Sequence, residues 1–120
     1  MKIGLVYLYR DGANYKRKAQ SVFANPNRLT VEAVESRFLE AAKRWQLLPD
    51  IIHFKPEIVG LPTCYFTDIG YSANSDDFEL HELDRIVETE ADCTDSRTVE
   101  EFLRHLSTAC HRDSRSAVGF

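Results

Sequence analysis

The clearest pattern of hydrophobic and polar positions lies between Leu29 and Trp45. Apolar residues recur there at intervals of three and four, so they share one stripe of a helix with 3.6 residues per turn. They are Val31, Val34, Phe38, Ala41, Ala42 and Trp45. The other side of the stretch is mostly charged, and Thr30 is suited to cap the first turn. We therefore predict an amphipathic helix on which the rest of the chain packs.

Two further elements are indicated near the ends of the chain. Residues 2–9 are β-branched and aromatic, and both alternating sets are largely apolar, which is typical of a central strand covered on both faces. Residues 99–110 carry a second helical stripe. Thr98 and Glu101 have the spacing of a capping box at its start.

The stretches between these elements are less regular. Turn-forming residues predict a long hairpin loop over 10–18. Residues 47–62 are apolar but contain three prolines, so we predict a crossing over the core with a single helical turn at 56–59. In the last predicted strand the apolar residues do not all fall on one face, and a bulge near Glu82 would reconcile part of this pattern. The remaining strands are predicted at 19–24, 63–69 and 78–88.

The order of these elements predicts one α+β domain over residues 1–110. It is strand, strand, helix, strand, strand, helix, which favours a two-layer structure with a mostly antiparallel four-stranded sheet and both amphipathic helices on one face. Residues 111–120 show no periodic apolar pattern and are expected to form a flexible C-terminal tail.

Composition narrows the class of protein. The formal net charge of -4 argues against a general nucleic-acid coat or a binder of anionic membranes. No apolar run approaches ~18 residues, and the N-terminus lacks the pattern of a signal peptide. Three cysteines without paired spacing indicate reduced thiols. We therefore expect a cytoplasmic protein.

The charges are distributed unevenly along the chain. Residues 1–60 hold ten Lys and Arg against six Asp and Glu, whereas residues 61–120 hold five against thirteen. The molecule should be electrically two-sided if the two halves do not interleave in the fold.

The candidate metal ligands have unsuitable spacing. His105 and His111 are six residues apart, and Cys110 is adjacent to His111, so neither pair lies on one face of a helix as zinc ligands usually do. We interpret Cys64, Cys93 and Cys110 as small buried hydrophobes and the histidines, including His81, as surface residues. We predict no metal site and no cofactor.

Catalytic motifs are no better represented. The aromatic neighbours of Cys64 indicate an apolar strand, which would raise the pKa of its thiol and disfavour a reactive thiolate. No glycine-rich phosphate loop or serine nucleophile motif occurs. No catalytic residue is predicted, and an enzyme of unknown class is the third hypothesis.

An acidic run over residues 76–92 is the first functional candidate. It holds eight acids and a single base, Arg85, and the acids are interspersed with apolar residues. Such a segment could bind a protein with a basic surface, or it could be an edge strand that charge protects against unwanted pairing. The leading hypothesis is a small accessory protein of bacterial or phage type that binds such a partner. The residues predicted to make the contact are Asp76, Asp77, Glu79, Glu82 and Asp84.

The basic hairpin loop is the alternative candidate. Cations neutralise phosphates and an aromatic ring can stack on an unpaired base, so the loop could bind nucleic acid. Four cations on a polar loop are also an ordinary solubility feature. The residues concerned are Arg10, Tyr15, Lys16, Arg17 and Lys18.

Overall fold

The secondary structure follows the predicted order and confirms the predicted fold class. The computed structural model describes residues 1–10, 16–46, 51–64 and 80–112. The strands are β1 (Lys2–Arg10), β2 (Lys16–Phe23), β3 (Ile52–Phe54) and β4 (His81–Thr89), and the helices are α1 (Val31–Ala41) and α2 (Val99–Arg112). Two 3-10 turns, Lys43–Trp45 and Pro56–Val59, lie between α1 and β4. No helix in these described ranges is long and apolar enough to cross a membrane.

The four strands form one antiparallel sheet in the order β2-β1-β4-β3. β1 pairs with β2 on one side and with β4 on the other, which confirms its predicted central position. β3 is short and pairs only with the start of β4, from Phe54 opposite His81 to Ile52 opposite Leu83. The side of β4 beyond Leu83 therefore has no strand beside it in the described part of the chain.

The core lies between one face of the sheet and the two helices. Ile3, Leu5, Tyr7 and Tyr9 of β1 are buried on this face. The Phe38 ring of α1 meets the Phe54 ring edge-on at 5.2 Å and lies 6.1 Å from the Phe102 ring of α2. Phe102 also lies 4.6 Å from Phe23 of β2. These aromatic contacts join both helices to the sheet in two layers.

The two helices lie side by side and run in the same direction. Asn27, just before α1, hydrogen-bonds Glu100 at the start of α2. At the other end, the Arg44 guanidinium donates to the carbonyl oxygen of His111 at 2.7 Å. This places the two C-terminal ends together, where a cation near the free carbonyls is favourable.

Local capping explains where the helices begin. The Thr30 hydroxyl accepts from the N–H of Ala33 at 3.1 Å, so Thr30 is the predicted N-cap of α1. Thr98 N–H donates to the Glu101 carboxylate at 2.9 Å, and Glu101 N–H donates to the Thr98 hydroxyl at 3.2 Å. This confirms the capping box of α2.

The ends of the helices differ from the prediction. α1 stops at Ala41, and a separate 3-10 turn carries Trp45 into the core. The apolar stripe was correct, but the helix over it is not continuous. α2 continues through His111 and Arg112, so the first two residues of the expected tail are helical. Residues 113–120 lie outside the described part.

The third strand was misplaced by the sequence prediction. β3 occupies Ile52–Phe54, inside the segment interpreted as a crossing, and Pro56 prevents its extension because proline has no N–H to donate to a sheet. Thr63 and Cys64 are not in a strand, and 65–69 lies outside the described residues. The turn at 56–59 is confirmed and ends at Gly60, whose φ of 76° suits glycine.

The strand boundaries around the basic loop and the bulge also differ from the prediction. β2 begins at Lys16 rather than at residue 19, so Lys16, Arg17 and Lys18 lie on a strand and not in the loop. The pairing of β1 with β4 shifts at Asp84, because Val6 faces Arg85 but Tyr7 faces Leu83. The predicted bulge therefore exists, two residues beyond Glu82.

Arg28 adopts a left-handed backbone conformation, with φ of 54°. Its N–H donates to the carbonyl oxygen of Asn25 at 3.2 Å, and the Asn25 side chain holds Leu29 through two hydrogen bonds of 3.0 Å. Because this conformation strains any residue with a Cβ, Arg28→Gly should be more stable to unfolding than Arg28→Ala by about 1 kcal/mol. Urea melts of the two variants measure this, and a less stable glycine variant would contradict it.

Candidate functional site

Two of the predicted acidic contact residues lie on β4. Glu82 receives the Arg10 guanidinium, with Nε to Oε2 at 2.8 Å and Nη2 to Oε1 at 3.3 Å, so the pair is bidentate. Asp84 receives the Lys18 ammonium at 3.3 Å. The other three, Asp76, Asp77 and Glu79, lie outside the described residues.

These ion pairs join the two candidate surfaces to each other. Arg10 and Lys18 lie on the sheet face that points away from the helices, where Leu8 faces both Lys18 and Glu82. β4 itself is flanked by β1 and β3, which both come from the first half of the chain. The halves therefore interleave in the sheet, and Glu82 and Asp84 are partly neutralised within the molecule.

The acids at the far end of the run are more available to a partner. Glu88, Glu90 and Asp92 are exposed. None of them forms an ion pair with another residue among those that the structure describes. Within residues 80–92, the acids available to attract a basic surface are thus centred on Glu88–Asp92.

β4 is an edge strand over only part of its length. Its first three residues are covered by β3, so the idea of a charge-protected edge does not apply to Glu82. From Arg85 to Thr89 one side of the strand pairs with β1, and the other side is open within the described chain from the bulge at Asp84 onward. Asp84, Arg85 and Glu88 are exposed along this open edge.

The residues of the basic candidate are divided between the two sides of the sheet. Lys16 and Lys18 face Arg10 and Leu8 on the side away from the helices, whereas Arg17 faces Tyr9 on the helix side. Tyr15 lies outside the described residues. The described cations therefore do not form one continuous surface for a phosphate backbone.

The candidate metal ligands are scattered. Cys93 is exposed in the loop between β4 and α2, so the interpretation of all three cysteines as buried is wrong there, while Cys64 and Cys110 are buried. His81 is fully buried, contrary to the surface position expected for it, because its strand turns it toward the core. Across residues 1–10, 16–46, 51–64 and 80–112 no three potential ligands gather into a metal site.

A buried polar cluster that the sequence did not indicate surrounds His81. Its Nε2 accepts from the N–H of Cys64 at 2.9 Å, and the Tyr7 hydroxyl donates to the carbonyl oxygen of Pro62 at 2.6 Å. Burial lowers the pKa of His81 to about 4 and raises the pKa of Tyr7 to about 12. Burial also raises the pKa of the Cys64 thiol. These groups are neutral at pH 7 and fasten residues 62–64 to the sheet, which is a structural role.

A second polar cluster fixes the loop before α2. The Arg97 guanidinium donates to Asp95 through Nε at 2.9 Å and Nη2 at 2.7 Å, and it lies 5.2 Å from the Phe102 ring. Hydrogen bonding to Arg97 lowers the pKa of Asp95. Arg97 Nη1 lies 2.8 Å from His105 Nδ1, which must accept because arginine only donates. These contacts hold the loop against α2.

Among the described residues, the candidate binding surface consists of the exposed acids Glu88, Glu90 and Asp92 and the uncovered side of β4 from Asp84 to Thr89. Comparisons of this chain with protein-family models, with curated proteins and with solved structures find no match.

Proposed function

We propose that the protein acts by binding another protein that carries a basic surface, and that β4 and the loop after it make the contact. The observation that supports this is the set of exposed acids Glu88, Glu90 and Asp92, none of which forms an ion pair with a described residue. A cluster of exposed charges of one sign raises the association rate of an oppositely charged partner, and it also orients that partner.

Apolar contacts would hold the partner after it arrives. Val87 is half-buried beside these acids, on the face of the sheet away from the helices. Exposed charge pairs contribute only about 0–1 kcal/mol each, so a lasting complex needs such contact area or backbone hydrogen bonds as well. Buried thiols at Cys64 and Cys110 are compatible with a reducing compartment, and we infer that the complex forms in the cytoplasm.

Nucleic-acid binding is the alternative, and the experiment below distinguishes it. Two of its proposed cations, Arg10 and Lys18, already pair with Glu82 and Asp84. Binding to a phosphate backbone would have to compete with these pairs, so the protein partner is the first choice.

The test compares two variants that carry the same change in charge. The first is Glu88→Gln, Glu90→Gln and Asp92→Asn together. The control is Glu32→Gln, Glu35→Gln and Glu40→Gln on the exposed side of α1. A partner is captured from host lysate with and without nuclease treatment and purified, and its association and dissociation are measured against salt concentration. We expect the first variant alone to associate about tenfold more slowly at low salt and to show a flatter salt dependence.

Two results would contradict the proposal. Equal slowing by both variants would show that only net charge matters and that β4 is not the contact. Capture that disappears after nuclease treatment, together with salt-sensitive binding of oligonucleotides, would favour the nucleic-acid alternative.

A further inference from the structure

The open edge of β4 offers backbone groups as well as charge. Between Arg85 and Thr89 the strand pairs with β1 on one side, and no described strand lies on the other side from the bulge at Asp84 onward. Alternate N–H and C=O groups of such an edge point outward, ready to pair with another extended chain. This edge is six residues long, which is the usual length of a β-strand.

The side chains along this edge differ between the two faces of the sheet. Glu88 faces Ile3 and so lies on the helix side. Val87 faces Gly4 on the opposite side. An added strand would therefore meet Ile86 and Glu88 on the helix side, and Arg85 and Val87 on the other side.

We propose that β4 receives an extended segment of its partner as an added strand along Asp84–Thr89. The segment carries a lysine or arginine opposite Glu88 and apolar residues on the face of the sheet where Val87 lies. Main-chain hydrogen bonds supply the affinity in this mode of recognition, and the alternating side chains supply the specificity. This inference rests on the proposed function and states how the partner is held.

A second copy of the chain fits this edge less well than a basic segment. Two antiparallel copies of β4 related by a twofold axis would place residues of the same face opposite each other. If the pairing is centred on Glu88, the Glu88 carboxylates of the two copies lie directly opposite each other. If it is centred on Val87, the same two carboxylates lie in diagonal positions. Like charges opposed across strands are destabilising. Self-association in these two registers is therefore disfavoured.

The surroundings of Glu88 are suited to a long basic side chain. Glu88 lines a shallow groove with Met1, Asn25, Arg28 and Leu29, and Met1 is 65% exposed there. The methylene stem of a lysine could cover this apolar surface while its ammonium meets the carboxylate. Arg28 lines the same groove and would repel a cation on its own side, so the lysine must approach from the strand edge.

The probe for the test is a short synthetic peptide in which lysine alternates with valine. Two further peptides have the same sequence and charge but carry N-methyl groups either on every lysine or on every valine. In an extended strand these two sets of N–H groups point to opposite edges. Strand addition needs one edge only, so one methylated peptide should lose about tenfold or more in affinity and the other should bind like the parent. Amides between Asp84 and Thr89 should become protected from hydrogen exchange when the parent peptide binds.

The possible failures are distinguishable. If the parent peptide and both methylated peptides bind equally, the contact is made by charge alone, and strand addition is wrong while the proposed function stands. If the parent peptide binds the variant neutralised at Glu88, Glu90 and Asp92 as well as it binds the unchanged protein, the proposed acidic contact is wrong. If the parent peptide does not bind at low salt, the edge is not a site for an added basic strand.

Discussion

Replacing Phe38 by alanine should lower the free energy of unfolding by about 3–5 kcal/mol. Phe38 is fully buried, and its ring fills the space between Phe54 of β3 and Phe102 of α2, at centroid distances of 5.2 and 6.1 Å. Removing it leaves a cavity between the helix layer and the sheet that the rigid aromatic neighbours cannot fill. Trp45→Ala should have an effect in the same range, since Trp45 is also fully buried.

Leu39 provides a matched control for this prediction. It is adjacent to Phe38 on α1 but is 45% exposed, so Leu39→Ala should cost less than about 1 kcal/mol. Guanidinium melts of the three variants measure the differences. Losses below about 1 kcal/mol for both Phe38→Ala and Trp45→Ala would show that the core is not organised around α1.

The parts of the fold predicted correctly are those whose signal lies within a short stretch of sequence. The stripe containing Phe38 and the capping residues Thr30 and Thr98 each depend on spacing within one or two helical turns. β1 was placed centrally because both of its faces are apolar, and the structure pairs it on both sides. Local periodicity therefore determined which elements form and where the two helices begin.

β3 could not be located in the same way. Three residues, Ile52–Phe54, are too few to show an alternating pattern, and the strand exists because it pairs with His81–Leu83 far along the chain. The continuous apolar composition of residues 47–62 suggested packing but not pairing. The strand was predicted at 63–69 instead, because Tyr65 and Phe66 have a high β-propensity and no other signal was present in the sequence.

The candidate site shows the same division between local and distant information. The sequence identified the acidic segment, but it could not show that Glu82 pairs with Arg10, which is 72 residues away. Among the described acids of the segment, this pairing leaves Glu88 more available to a partner than Glu82. The sequence also could not show the open edge at Asp84–Thr89, because this edge depends on β3 beginning only at Ile52, opposite Leu83. The proposed contact thus depends on the topology of the sheet as much as on the composition of β4.

The buried imidazole of His81 should make the protein less stable as the pH falls below neutrality. Burial lowers its pKa from 6.5 to about 4, so between these values the unfolded chain binds more protons than the folded one. The stabilisation is complete above about pH 6.5 and is lost as the pH falls to about 4, a difference of about 3 kcal/mol. Protonation would also remove the acceptor at Nε2 from the N–H of Cys64.

His81→Gln supplies the control for this pH dependence, because its amide oxygen can accept from Cys64 N–H but does not titrate. The variant will be less stable at pH 7, since it loses the ring contact with Tyr9 at 5.1 Å, but its stability should change less with pH. Burial also lowers the pKa of His53. Its contribution to the pH dependence of stability is the same in both proteins and cancels in the comparison. Urea melts at several pH values between 4 and 7 measure the two slopes, and a slope as steep in the variant as in the unchanged protein would show that another group causes the loss.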